Sequence, residues 1–558
     1  MSSDLDYAAS PNAGGALRRL TANRPAIGII AWALFLRLPY VAHSTYDIDE
    51  ACYAAFATAV NAGAVEYRDI ADLKSPGIYW TYAVVFRVFG SYAMHAMHGL
   101  AAIVSLATAG VLFRFAATLG SRTAGLWAAF LYLTLATFYP ANLAANCELF
   151  MNLPYAAALH CAWRAGQGSR SARWSAAAGV WLGVALLYKQ VAVAGAGACV
   201  AYLAVLWYVG RFTFGRAAAS LAAAVVGFAA PLAAACTYLH LRGGLEACYF
   251  WTIEYLRWYV AASAAKLSYA AHFVANFVPF VFAYAAAWVP GGVYLLGASR
   301  TIWRVGRTRR ADDASLAALL VGGWLLLSTA APLSAPRMYP HYWLQYLPPL
   351  CLAAGLQIAT AGSWFADARR RRWLIGCAVV PGAASWLWAW LFVGETPPAL
   401  VHPKPDYRPA VAYLREHAAP GTTALVWGWF PPLYVEADLT PGTRFVNMHM
   451  FVTWRPEFAA RSPQKWLTDT ATTWVEHPAV WDMLEADFAR RPPELVLDTS
   501  PGDHHRFGLF PMHDFPRLQR IGDRDYRHEA TIGGVGIYRH RGGDAGSESP
   551  RFADGAAR

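Results

Sequence analysis

The chain has 558 residues, 57% of them hydrophobic and only 15% charged, with a formal net charge of +11. A soluble domain carries about a quarter charged residues; the deficit here falls in long apolar runs, which excludes an ordinary soluble protein and points to transmembrane helices. The surplus arginine lies in short segments between those runs, and no basic stripe interleaved with aromatics occurs, so membrane topology accounts for the charge better than nucleic-acid binding does.

In chain order, residues 1–24 read as a polar cytoplasmic tail. The first apolar run lacks a small-x-small cleavage site and is kept as an anchor rather than a signal peptide. Eleven spans follow, at about 25–42, 93–116, 123–141, 147–163, 174–190, 191–210, 217–239, 275–298, 314–333, 342–362 and 374–394. Each approaches the ~20 residues that cross a bilayer. With the N-terminus inside, inner segments hold nineteen arginines, among them Arg18, Arg19, Arg122, Arg216, Arg307 and Arg369 to Arg372. The outer loops hold eight basic residues: Arg68, Lys74, Arg87, Lys189, Arg242, Arg257, Lys266 and Arg337. That bias supports the threading and places the C-terminal segment outside. Residues 25–398 thus form a membrane domain with long outer loops at about 43–92 and 240–275.

Beyond residue 398 the composition turns polar. RPAVAYLREHA and AVWDMLEADFARR read as helices, and TTALVWGWF, RFVNMHM, ELVLDTS and GVGIYRH as short strands. The mixture predicts a small α/β extracytoplasmic domain over 399–540. The Gly/Ser-rich end, 541–558, reads as a disordered tail. His504 and His505, in PGDHHRF, read as an exposed turn rather than a metal site. The eight cysteines include no CxxC pair and no metal-ligand spacing, which argues against a zinc site or a disulfide framework.

A membrane protein that only packs helices has no use for a fifty-residue outer loop. The first such loop carries Asp47, Asp49, Glu50, Tyr53, Glu66, Arg68, Asp69, Asp72 and Lys74. Glu148, Lys189, Arg257, Arg337, His341 and Tyr342 sit at span ends on the same side. Ionisable groups at membrane depth are costly and point to function, although interfacial snorkelling accounts for any one of them. Lys74, Lys189, Arg257 and Arg337 at one interface suit an anionic lipid phosphate.

The loop reads Asp49-Glu50-Ala-Cys-Tyr53-Ala, then Tyr67-Arg68-Asp69-Ile-Ala-Asp72-Leu-Lys74-Ser-Pro76. Later the chain runs Tyr339-Pro-His341-Tyr342-Trp-Leu-Gln-Tyr-Leu-Pro348-Pro349-Leu. These stretches resemble the polyprenyl-phosphate-sugar-dependent membrane glycosyltransferases, which include protein O-mannosyltransferases, the lipid A aminoarabinose transferase and rhizobial galacturonosyltransferases. The family's His-Lys-Pro-Pro-like turn is Leu-Lys-Ser-Pro here, which keeps Lys74 and changes its neighbours. The resemblance covers nearly the whole chain. It implies an α-helical polytopic GT-C fold of about eleven transmembrane helices, a catalytic first outer loop and a small C-terminal α/β domain.

It also implies inverting transfer of a sugar from a polyprenyl phosphate to a cell-envelope acceptor, at the outer face of a bacterial inner membrane. Asp49 is then the base, with Glu50 orienting it or touching the acceptor. Lys74, Arg257 and Lys189 hold the donor phosphate. Tyr53, Arg68, Glu148, Arg337, His341 and Tyr342 line the donor and acceptor pocket. A divalent metal at the Asp49–Glu50 pair stays open as an alternative, as some relatives use one. The competing class is a transporter or flippase for a lipid-linked or anionic substrate. It is disfavoured because no internal repeat appears and the polar residues gather at one face rather than the midplane.

Overall fold

The computed structural model describes residues 11–138, 140–264, 273–334, 340–361, 367–392, 405–453 and 474–542. The chain is mostly helical, and each of the eleven expected spans overlaps a helix. The principal helices are α1 (Pro11–Phe35), α2 (Ile48–Asn61), α3 (Gly77–Phe89), α4 (Met94–Leu119), α5 (Arg122–Leu135), α6 (Cys147–Gly166), α7 (Ser171–Tyr188), α8 (Val193–Tyr208), α9 (Phe214–Arg242), α10 (Leu256–Ala264), α11 (Ala285–Thr308), α12 (Asp313–Ser334), α13 (Leu347–Thr360) and α14 (Ala368–Phe392). By length and composition alone, four helices among the described residues can cross a membrane: Met94–Leu119, Gln190–Tyr208, Phe214–Arg242 and Ala368–Leu391. Others of the expected spans fall short by length or composition, and α6 carries Pro154 inside a continuous helix of 20 residues. Large apolar side chains such as Val226, Leu241, Val289, Leu296 and Trp373 stay exposed on the outside of this bundle, where lipid would cover them.

The first outer loop is not irregular. It contains α2 and α3, whose 14 and 13 residues are too short to cross a bilayer at 1.5 Å per residue. They fold back onto the bundle. Gly77 opens α3 at the one place where it must approach α7: a Cβ there would lie 2.7 Å from the Leu187 carbonyl oxygen. One turn on, the Thr81 and Tyr188 hydroxyls bond at 3.0 Å. The end of the Lys74 loop is thereby held against the end of α7, next to Lys189.

The C-terminal region forms a five-stranded sheet from β1 (Thr423–Trp427), β2 (Thr440–Pro441), β3 (Leu495–Asp498), β4 (Tyr526–Ile532) and β5 (Val535–His540), in the order β2-β1-β3-β5-β4. β1 runs parallel to β2 and β3, and β5 runs antiparallel to β3 and β4. Strands β1 and β3 are buried along their whole length, as central parallel strands are. Helices α15 (Arg408–His417), α16 (Val480–Arg490) and α17 (Pro516–Asp525) accompany it. The expected strand RFVNMHM is not part of the sheet. Its partner is the first outer loop: Ala71 N–H donates to the Arg444 carbonyl at 2.8 Å, and Ala71 and Phe445 form an isolated parallel bridge. Nor is PGDHHRF simply an exposed turn. His504 is buried, stacked on Phe430 at 5.1 Å and bonded through Nε2 to the Gly533 carbonyl at 3.0 Å.

Three further contacts join this region to the loop. Asn447 Nδ2 donates to Cys52 Sγ at 3.0 Å, the Tyr92 hydroxyl donates to the Leu439 carbonyl at 2.5 Å, and Arg490 reaches Asp69 at 3.5 Å. Arg444 is itself clamped by Asp487, whose carboxylate takes Nε and Nη2 at 3.0 and 2.8 Å and the backbone N–H at 3.0 Å. Asp487 is 2% exposed. Replacing it by Ala strands a partly buried guanidinium, so Asp487→Ala is expected to cost about 3 kcal/mol, read as a lowered denaturation midpoint of the purified protein. An unchanged midpoint would show that the clamp does not support the fold.

Candidate active site

Asp49 and Glu50 lie in the first turn of α2, where the helix dipole favours carboxylates. Adjacent residues on a helix diverge by about 100°, and the two side chains go separate ways. Glu50 is fully buried. Its carboxylate accepts the Ala145 N–H at 2.9 Å and the Tyr46 N–H, and bonds His98 Nε2 at 3.2 Å. It ties the start of α2 to α4 and to the chain entering α6. Hydrogen bonds to a buried charge carry about 1.5–3 kcal/mol, so Glu50→Gln is expected to lower the melting temperature. Turnover per folded molecule should stay near wild type, and a selective loss of turnover would return Glu50 to the chemistry.

Asp49 instead enters a row of alternating charges drawn from four parts of the chain. Lys74 Nζ bonds Asp49 Oδ2 at 3.1 Å. His341 Nε2 lies 4.0 Å from Asp49 Oδ2 and 3.9 Å from Glu148 Oε1. Lys189 donates to Glu148 Oε1 and sits over the Tyr342 ring, 4.1 Å from its centroid. Tyr53 lies beneath Lys74, with 5.9 Å from Nζ to the ring centroid. Aromatic faces hold ammonium groups without neutralising them. The side chains of Asp49 and Lys74 are each 24% exposed, those of His341 and Lys189 13%, and that of Glu148 2%. The row is therefore most accessible at Asp49 and Lys74 and closed at Glu148.

Burial opposes ionisation of Asp49, but the Lys74 ammonium and His341 outweigh it and hold the carboxyl below the usual range. The same charge balance, against burial, holds Lys74 well above its ordinary value. Burial and the neighbouring Asp49 charge push Asp47 up to about 7, against the bond it accepts from Asn146 Nδ2 at 2.9 Å. Burial also raises Asp72, with Lys74 pulling the other way.

Six expected residues thus come together: Asp49, Lys74, Glu148, Lys189, His341 and Tyr342, with Tyr53 beside them. Three do not join the row. Arg68 is exposed and pairs with Asp69 at 2.9 Å. Arg257 is exposed on α10 with no ion-pair partner among the described residues. Glu50 faces the core. Arg337 lies outside the described residues. The sequence reading passed over the roles of Cys147, whose thiol donates to Glu148 Oε2 at 3.1 Å, and of His98 and Asn146; single buried polar residues in apolar runs carry no spacing signal.

A metal at Asp49 and Glu50 does not fit this arrangement. The two carboxylates are separately engaged, and among the described residues no group of three His, Cys, Asp or Glu side chains is placed to hold an ion. The row instead sets two ammonium groups and an imidazole beside two carboxylates, and ammonium groups are donors of the kind that take anions.

Residues 73–205, which include Lys74, Glu148 and Lys189, match the family model described as dolichyl-phosphate-mannose-protein mannosyltransferase. No curated protein sequence matches the chain. Among solved structures, ArnT from Cupriavidus metallidurans bound to undecaprenyl phosphate superposes with a TM-score of 0.55 at 15% identity, covering 94% of this chain and 100% of that one. The oligosaccharyltransferase AglB from Archaeoglobus fulgidus, in complex with an inhibitory peptide and a dolichol-phosphate, gives 0.54 at 10% identity over 94% of this chain and 75% of that one. The chain is accordingly built on the GT-C glycosyltransferase fold, a multi-pass membrane architecture, with its Lys74–Lys189 stretch inside the part that matches the mannosyltransferase family model.

Proposed function

We propose that this protein is an inverting glycosyltransferase that moves a hexosyl or pentosyl unit from a polyprenyl phosphate to a hydroxyl on the outer side of a bacterial inner membrane. The acceptor is lipid A, an envelope glycan or a protein. The N-terminus is cytoplasmic and the C-terminal sheet domain extracytoplasmic. The observation that carries the reading is the Lys74–Asp49–His341–Glu148–Lys189 row, on a fold whose relatives bind polyprenyl phosphates.

The acceptor oxygen attacks the anomeric carbon as the bond from that carbon to the phosphate oxygen breaks. The electron pair leaves with the polyprenyl phosphate, and the hydroxyl proton passes to Asp49. Phosphate leaves readily, so the protein must supply a base and cations for the growing charge. Lys74 and Lys189 serve the phosphate, His341 and Tyr342 line its site, and Glu148 holds Lys189 in place.

The Lys74–Asp49 pair adds a coupling. While the pair is intact, Asp49 is a weak base. When a donor phosphate draws the Lys74 ammonium away, the carboxylate loses its main stabilising charge and becomes more basic at the moment it is needed.

The test is release of free polyprenyl phosphate from lipid-linked sugars by the purified protein, with sugar appearing on an acceptor. Absence of release across a broad donor panel, with the fold intact, would overturn the reading.

A further inference from the structure

Away from the charged row, the second outer loop and the C-terminal region share a run of partly exposed aromatic rings. Trp258 and Tyr259 stand on α10, directly after a π-helical stretch, Phe250–Tyr255. Such stretches are rare and frequent at functional sites. The Tyr259 ring lies 6.0 Å from that of His449, His449 lies 6.0 Å from Trp429, and Trp429 lies 6.5 Å from His505. Trp429 is backed edge-on by the buried Trp474 at 5.3 Å. None of the five rings in the run is itself buried.

Each end of the run carries an arginine. Arg257 is exposed beside Trp258 and lines, with Glu254, an open cavity of about 820 Å³. That volume lies within the range of ligand pockets, roughly 300–1,000 Å³. At the other end, Asp503, His505 and Arg506 all adopt left-handed backbone, with φ of 47°, 47° and 65°. Three non-glycine residues so placed within four positions are strained, and such strain persists where the surroundings enforce it, often at ligand sites. Here it sets His505 beside Trp429, with Arg506 next in the chain.

The run also begins close to the charged row. Asn447, two residues before His449, bonds Cys52, and Cys52 lies one turn along α2 from Asp49.

Flat aromatic faces pack against the C–H faces of sugar rings, and guanidinium groups take carboxylates or phosphates with two parallel hydrogen bonds. We propose that this aromatic track binds an anionic saccharide and serves as the acceptor subsite, an assignment that rests on the glycosyltransferase reading for its role but not for the binding itself.

The experiment uses the full-length protein in detergent, with hyaluronan tetrasaccharide as the anionic probe and maltotetraose as the neutral one, followed by saturation-transfer NMR. The charged sugar should bind more tightly. Trp429→Ala should weaken it about tenfold, equivalent to the contribution of one aromatic contact, while Trp429→Tyr, which keeps a stacking face, should restore most of the loss. Arg506→Gln should narrow the preference for the charged sugar. A wild-type protein that binds no hyaluronan tetrasaccharide, or binding unchanged in Trp429→Ala, overturns the track. Binding requires no turnover, so specific binding by a protein that releases no polyprenyl phosphate supports the track and counts against the transferase reading alone.

Discussion

Asp49→Asn is expected to reduce turnover by about 10²–10⁴-fold, the usual worth of a positioned base. The substitution preserves shape and leaves an amide oxygen to accept from Lys74, but it removes the group that takes the acceptor's proton. Asp49 and Lys74 are each only 24% exposed, but the amide keeps a partner for the Lys74 ammonium, so the substitution avoids stranding a largely buried charge. The variant should therefore insert, bind donor and melt close to wild type while releasing polyprenyl phosphate at a small fraction of its rate. Single-turnover release with saturating donor, alongside a thermal melt, reads both properties. A variant that turns over at the wild-type rate would remove Asp49 from the mechanism, and one that fails to melt cooperatively would make it structural.

Lys74→Met should do two things at once, and their combination sets it apart from a merely misfolded protein. Loss of one preorganised cation facing the departing phosphate should reduce the rate by about 10²–10³-fold. The pH profile should move as well. In the wild type the Lys74 charge helps hold Asp49 below the usual carboxylate range, so the base is ionised at neutral pH and its acid limb lies low. Without Lys74, burial acts with less opposition, the Asp49 value rises, and the acid limb of kcat/KM shifts to higher pH. The residual activity should accordingly be lost earlier as pH falls. A reduced rate with an unmoved acid limb would contradict the pairing of the two side chains.

Much of this was legible in the sequence because it depends on long-range composition. Each of the eleven apolar stretches overlaps a helix, since a run of about twenty apolar residues leaves a strong signal. Helices α2 and α3 left no such signal: IDEACYAAFATAVN and GIYWTYAVVFRVF are too short to span, and the stretch read simply as a loop. In the C-terminal region, β1, β3 and β5 fall on expected strands, while β4, YRHEATI, is a mostly exposed edge strand whose polar residues hide its alternation. The Gly533-Gly534 turn beside it, with φ of 56° and 73°, is a hairpin cue of the kind that joins two strands. At the site, residue type and shared membrane side were enough to nominate Asp49, Lys74, Glu148, Lys189, His341 and Tyr342. They were not enough to separate Asp49 from its neighbour Glu50, because which side of α2 meets Lys74 and which meets His98 is decided by packing among distant segments.

The seam between the first outer loop and the C-terminal region bears on the order in which the protein comes into being. Cys52 and Asn447 are 395 residues apart in the chain. At a synthesis rate of roughly 5–20 residues per second, Cys52 waits about 20–80 s for its partner. During that interval the Lys74 loop lacks the backbone bond from Ala71 to Arg444. A ribosome-bound nascent chain would thus stay inactive until the segment around Arg444 and Asn447 has been made and docked, and catalytic competence would arrive late and all together.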